Sequence, residues 1–260
     1  MKLGFIGLGN MGRAIASGLV QSGAVPAKEI CGYAPHRARL EAYCAETGIT
    51  PMESAVAVAE ASDMVLIAVK PYIIGGVLEE IRSAMRGKAL LSVALGWDYE
   101  KLSAALDEST RVQFIMPNTP ALVQAGVLLF EDKNSLLPDE RADVMEMFRR
   151  LGVVEELPTH LMGIGGTVSG CGPAYCAMMI EALADAGVKY GLPRATAYRL
   201  ASQMCLGTAK LQLDTGMHPG VLKDGVCSPA GTTIRGVEAL EKNGMRAAFM
   251  EAVRAAMKDD

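Results

Sequence analysis

The segment Gly7-Leu8-Gly9-Asn10-Met11-Gly12 constrains this chain most, because its three glycines stand between two patterns of different period. Residues 2–6 form a short apolar run of strand character, and from Arg13 onward apolar residues recur at helical spacing as far as Gly23. Strand, tight turn and helix in that order make a dinucleotide-type loop. Gly7 permits the turn, Gly9 lets the backbone approach a pyrophosphate, and Gly12 lets helix and strand pack closely. The helix start then offers unpaired N–H groups and a partial positive charge to an anion.

The same alternation continues downstream. Residues 29–33, 64–69, 90–95, 111–116, 126–130 and 153–156 read as strands, and 38–47, 73–85, 98–106 and 139–151 as helices, with Asp98 capping the third of these. Parallel strands need such crossover helices, so residues 1–157 are expected to form an α/β, Rossmann-like doubly wound sheet domain. After Pro158 the character changes. Residues 178–190, 194–207, 234–242 and 245–257 carry helical periodicity without a convincing strand, so 158–260 is expected to be an all-α domain. Met178, Met179, Ile180, Leu183 and Val188 make one of its helices apolar around much of its circumference, a pattern that favours burial against a second subunit over an intrachain core alone.

Composition removes several function classes. Lys+Arg 25 against Asp+Glu 29 leaves a net charge of −4, so no bulk positive field would gather nucleic acid. Apolar runs are interrupted, as by Lys70 and Ser92, long before the roughly 20 residues of a membrane helix, so no membrane span is expected. The start of the chain enters the glycine loop at once and carries no secretory pattern, which gives a cytoplasmic expectation. Cysteines at 31, 44, 171, 176, 205 and 227 form no CxxC pair, and only three histidines are present, so no metal site is expected.

An NAD site ordinarily places Asp or Glu at the end of the second strand, about 20 residues beyond the glycines. Here Cys31-Gly32-Tyr33-Ala34-Pro35 leads instead to His36, Arg37 and Arg39, which would neutralise a 2′-phosphate. NADPH is the cofactor this pattern favours, with NADH as the alternative. Lys70 and Pro71 end one strand, and Met116-Pro117-Asn118-Thr119-Pro120 ends another at the edge where a nicotinamide should lie. In the second half, Ser228-Pro229-Ala230-Gly231-Thr232-Thr233 runs into a helix, and such a hydroxyl-rich start is able to receive a small carboxylate. On composition alone, a capped helix start without a ligand is the simpler reading.

Three further stretches narrow the field: Thr167-Val168-Ser169-Gly170-Cys171-Gly172-Pro173-Ala174-Tyr175, Glu181-Ala182-Leu183-Ala184-Asp185-Ala186-Gly187, and His218-Pro219-Gly220 with Leu222-Lys223-Asp224. Together with residues 228–233, and with 4–12, 68–71 and 116–120 in the first domain, they resemble pyrroline-5-carboxylate reductase over nearly the whole chain. The resemblance implies NADPH-dependent reduction of 1-pyrroline-5-carboxylate to L-proline by a homodimer, in many relatives a ring of dimers. It places the substrate carboxylate on Ser228, Gly231, Thr232 and Thr233, with Thr233 nearest the ring nitrogen as the catalytic residue. It places the phosphates on Gly7, Gly9, Asn10, Met11 and Gly12, and the nicotinamide side on Val69, Lys70, Pro71, Ala94 and Asn118. His36 and Arg37 complete the expected cofactor set.

The chain departs from the family pattern at four points. Ala230 stands where Gly is usual, Gly225 where some relatives carry Asn, Leu95-Gly96-Trp97 replaces Ala-Gly-Ile, and no ribose-contacting Asn occurs near Ser54. With the cofactor loop in one domain and the carboxylate loop in the other, the site is expected to draw on both. The competing enzymatic reading is a β-hydroxyacid dehydrogenase of the 6-phosphogluconate type, which would need a catalytic lysine such as Lys189 or Lys210 in the second domain.

Overall fold

The structure is a computed structural model and describes residues 2–257. It divides into two compact units, Met1–Gly170 and Cys171–Asp260.

The first unit is built on eight strands: β1 (Leu3–Ile6), β2 (Ile30–Tyr33), β3 (Thr50–Pro51), β4 (Met64–Ile67), β5 (Ala89–Ser92), β6 (Arg111–Pro117), β7 (Gly126–Asn134) and β8 (Gly152–Leu157). Their order across the sheet is β3-β2-β1-β4-β5-β6-β7-β8. Neighbours are parallel except β6 and β7, which are antiparallel, so this is the expected Rossmann-like sheet with its last two strands, β7 and β8, reversed. Between them run α1 (Asn10–Gln21), α2 (Arg37–Thr47), α3 (Ala55–Ala61), α4 (Ile74–Ile81), α5 (Tyr99–Ala105) and α6 (Pro138–Arg149), and α7 (Thr159–Gly166) follows β8.

Side chains alternate across the pleat, so each central strand feeds two cores. Leu3, Phe5, Leu66 and Leu91 meet Ile15, Leu19, Leu40 and Phe148 on one face. Ile6, Val65, Ile67 and Leu90 meet Val58, Ile74, Leu78 and Leu102 on the other. Continuous apolar runs such as Met-Val-Leu-Ile in β4 follow directly, because both faces of these strands are covered.

Two polar devices fix the helix starts. Asp98 accepts from Lys101 N at 3.0 Å and caps α5, as its position in the sequence predicts. Fully buried Glu131 of β7 accepts from Tyr99 N at 2.7 Å and from the Thr159 hydroxyl at 2.5 Å. One carboxylate thereby serves the first turns of both α5 and α7, where the positive helix ends stabilise its charge.

The second unit is all helical. A π-helical turn, Thr167–Cys171, leads into α8 (Gly172–Lys189), followed by α9 (Arg194–Thr215), α10 (Pro219–Gly225), α11 (Thr232–Lys242) and α12 (Met245–Ala256). The short link after α8 turns α9 back along it, with Gly187 against Leu192 and Ala197, and the Tyr175 hydroxyl donates to Ala252 O, joining α8 to α12. The only buried side chains in this unit are Ala184, Ala197 and Ala201 among the described residues, while Met178, Leu183, Leu206, Leu213 and Met250 are exposed. A stack held by three alanines leaves its large apolar residues to be covered from outside.

Candidate functional site

Strand order reverses between β1 and β4, and in sheets of this kind ligands bind at the carboxyl ends of the strands flanking that reversal. The glycine loop follows β1 at this point, and the segment 68–71 follows β4. Gly7 has φ +99° and donates its N–H to Tyr33 O at 2.9 Å; a Cβ on it would lie 2.7 Å from Ala68 O. Only glycine fits that close crossing of β1 and β4. Gly12 closes the turn from the other side, its absent Cβ standing 2.1 Å from Gly7 O.

Gly9 differs from both. It is exposed, extended at φ −81°, and has nothing within 4 Å of where a Cβ would stand. It is also the N-cap of α1 and supplies no side-chain cap, so the first N–H groups of that helix, those of Asn10 and Met11 among them, face the open space beside it. An open, uncapped helix start of 12 residues at the strand reversal fits a pyrophosphate.

Val69 is half-buried beside Gly7, while Lys70 and Pro71 are exposed at the same edge. Pro71 O accepts from Trp97 Nε1 at 3.2 Å, which ties the segment after β4 to the loop after β5, where Ala94 is buried. Asn118 follows β6 and is almost fully buried. Its Oδ1 accepts from Val127 N and its Nδ2 donates to Ser169 O, each at 2.9 Å. Both ends of its amide are thus held by backbone, so Asn118 clamps the end of β6 to β7 and to the π-helical turn.

His36 and Arg37 lie at the N-terminus of α2, both exposed. Arg37 Nε meets Glu41 Oε1 at 2.6 Å and its Nη1 meets Glu53 Oε1 at 2.8 Å. These bonds, Glu41 first, hold its guanidinium above the ordinary arginine range. Glu53 escapes a reading of the sequence, because only the pairing of β3 with β2 brings it there.

In the second unit, α11 begins at Gly231, again with no side-chain cap, and Thr232 and Thr233 are its first two residues, both exposed. Gly231 N donates to Ser228 O at 3.0 Å, and a Cβ on Gly231 would strike Ser228 Oγ at 2.5 Å, so the turn is tight enough to bring the Ser228 hydroxyl over the helix start. Ala230 carries φ +58°, a left-handed conformation that glycine adopts without strain. The unusual alanine noted in the sequence therefore occupies the one position of this turn that glycine suits best.

Lys210 is paired with Asp214 at 2.5 Å one turn along α9, and Lys189 lies over the Tyr190 ring at 5.8 Å. Among the described residues no three His, Cys, Asp or Glu side chains group as metal ligands, and no helix is long and apolar enough to cross a membrane.

Comparison with known proteins places these loops in a family. Residues 159–260 match the family model described as pyrroline-5-carboxylate reductase dimerisation, and residues 2–96 match NADP oxidoreductase coenzyme F420-dependent. The chain is 45% identical over 261 residues to the pyrroline-5-carboxylate reductase of Treponema pallidum, covering 99% of each chain. It is 45% identical over 258 residues to that of Escherichia coli, covering 99% of this chain and 96% of the relative. Among solved structures it superposes on Plasmodium falciparum pyrroline carboxylate reductase with NADP bound at TM-score 0.88 and 34% identity, covering 98% and 95% of the two chains.

Proposed function

The chain belongs to the pyrroline-5-carboxylate reductase family, and from that membership we propose its reaction: NADPH-dependent reduction of 1-pyrroline-5-carboxylate to L-proline, the last step of proline biosynthesis. It is an oxidoreductase with an NADP-binding Rossmann-like domain followed by a helical dimerisation domain. The observation that carries the reading is the pair of uncapped helix starts, one per unit, at Gly9 and at Gly231. Each is an amide-lined anion site, and cofactor and substrate are both anions.

NADPH supplies the hydride. The protonated cyclic imine accepts hydride at carbon far more readily than the neutral ring, so the protein's main task is to hold the reacting carbons roughly 3–3.5 Å apart. We assign the phosphates to the 7–12 loop, with Gly7, Gly9, Asn10, Met11 and Gly12, and the nicotinamide side to Val69, Lys70, Pro71 and Ala94. The substrate carboxylate falls to Ser228, Gly231, Thr232 and Thr233, and the Thr233 hydroxyl to the ring nitrogen, where it orients the proton. Lys210 is occupied by Asp214 and gives no support to a hydroxyacid dehydrogenase using a free lysine.

The phosphate cradle belongs to the first unit and the carboxylate loop to the second, so the reaction is read as drawing on both units. A ring of dimers is the assembly proposed, and the cytoplasm the compartment. The decisive assay follows NADPH absorbance on adding 1-pyrroline-5-carboxylate. Oxidation with formation of proline is expected; no consumption of NADPH with this imine, together with reduction of NADP+ by a hydroxyacid, would overturn the reading. Activity is expected to fall with dilution in step with dimer dissociation seen by sedimentation.

A further inference from the structure

β2 ends at Tyr33, and none of Ala34, Pro35, His36 and Arg37 supplies the carboxylate that ordinarily meets the ribose hydroxyls of NADH. The sheet delivers one by another route. β3 runs parallel to β2, with Cys31 opposite Thr50 and Gly32 opposite Pro51, and Met52 N donates to Gly32 O at 2.9 Å. The chain leaving β3 therefore emerges at the same sheet edge as the end of β2, and the second residue after the strand is Glu53. Glu53 Oε1 lies 2.8 Å from Arg37 Nη1, so the cation expected to bind a 2′-phosphate already carries a carboxylate from the neighbouring strand. Glu41, one turn into α2, takes the Nε of the same guanidinium.

We propose that Glu53 is a specificity-determining residue for the cofactor, competing with the 2′-phosphate of NADPH for Arg37 and presenting a hydroxyl acceptor to the ribose of NADH. The inference rests on the NADPH-dependent reading above. Binding of the phosphorylated cofactor must break the Arg37–Glu53 pair and bring a dianion close to a carboxylate, whereas NADH binding need do neither. The two acids differ in their reach. Glu41 is tethered to Arg37 by helix spacing, while Glu53 stands at the sheet edge where an adenosine ribose lies in folds of this topology. The enzyme is thereby poised to use both cofactors, with its preference set by one carboxylate from β3.

The test measures dissociation constants of the full-length protein for adenosine 2′,5′-bisphosphate and for 5′-AMP by calorimetry, in wild type, Glu53→Gln, Arg37→Gln and the double variant. Glu53 is 81% exposed, so its isosteric replacement leaves the fold intact. Glu53→Gln is expected to tighten 2′,5′-bisphosphate binding about three- to tenfold, from removal of one competing surface charge, while 5′-AMP binding stays equal or weakens. The gain should shrink in high salt and vanish in the Arg37→Gln background. A ratio of the two constants within twofold of wild type, or a gain that persists without Arg37, overturns the inference. Failure of wild type to bind adenosine 2′,5′-bisphosphate overturns the cofactor reading as well; its binding with an unmoved ratio overturns this inference alone.

Discussion

Replacing Gly9 and Gly12 separately by alanine should divide the glycine loop's two tasks. Gly9 has a φ that alanine adopts freely, and its added methyl would meet no atom of the protein, so the main stability cost is that of an alanine N-cap, about 0.5–1 kcal/mol. That corresponds to a fall of roughly 1–4 °C in a domain of this size. The same methyl fills the space from which the phosphates approach, and NADPH affinity is expected to drop about a hundredfold, or ~2.7 kcal/mol. Gly12→Ala reverses the pattern. Its Cβ would stand 2.1 Å from Gly7 O, well inside the 3.4 Å of an ordinary contact, and Gly7 is itself held by its N–H bond to Tyr33 O. Relief requires shifting β1 or α1, an overpacking cost of about 3 kcal/mol or roughly 6–12 °C. Calorimetric melting and fluorescence titration with NADPH read both quantities. Wild-type NADPH affinity in Gly9→Ala would refute the phosphate cradle, and wild-type melting of Gly12→Ala would refute the packing argument.

Thr233→Ala is expected to lower turnover about ten- to a hundredfold while leaving the NADPH dissociation constant unchanged; an unaltered rate removes the hydroxyl from the mechanism. Ala230→Gly should raise stability by about 0.5–1 kcal/mol by relieving the left-handed alanine, and a lower midpoint in urea would contradict the strain. Asn118→Ala strands Val127 N and Ser169 O and should cost about 2–4 kcal/mol. If it instead weakens NADPH binding with melting unchanged, Asn118 is a cofactor ligand rather than a clamp. Arg111, through a two-pronged bond at 2.6 and 2.7 Å, holds the Glu140 carboxyl below its ordinary range. A depressed folded value contributes stability above the unfolded one, near 4.5, and loses it as pH falls through the folded value. Glu140→Gln should therefore cost about 1 kcal/mol at neutral pH and flatten the acid limb of the melting profile.

The elements legible in the sequence were those whose own period or cap announces them. The strand-loop-helix at Gly7, the doubly covered β4 and the Asp98 cap belong to this class. β3 and α3 did not show. β3 is two residues, one of them proline, and Ala-Val-Ala-Val-Ala-Glu-Ala in α3 alternates as a strand would, its helical state being fixed by the Ser54 cap and by Val58 packing on the sheet. Glycine-rich α7 and seven-residue α10 were equally silent, since propensity argues against the first and its shortness hides the second. Of the candidate site, the 7–12 and 228–233 loops are contiguous stretches, so their positions at helix starts could be read from the sequence. The Arg37–Glu53 pair and the double clamp on Asn118 depend on strand neighbours 9 to 51 residues apart and have no local signature.

The alanine-only interior of the second unit ties conformational integrity to abundance. In a dimerisation domain whose large apolar residues lie outside, association adds stability to each copy, so the melting midpoint climbs as protein accumulates.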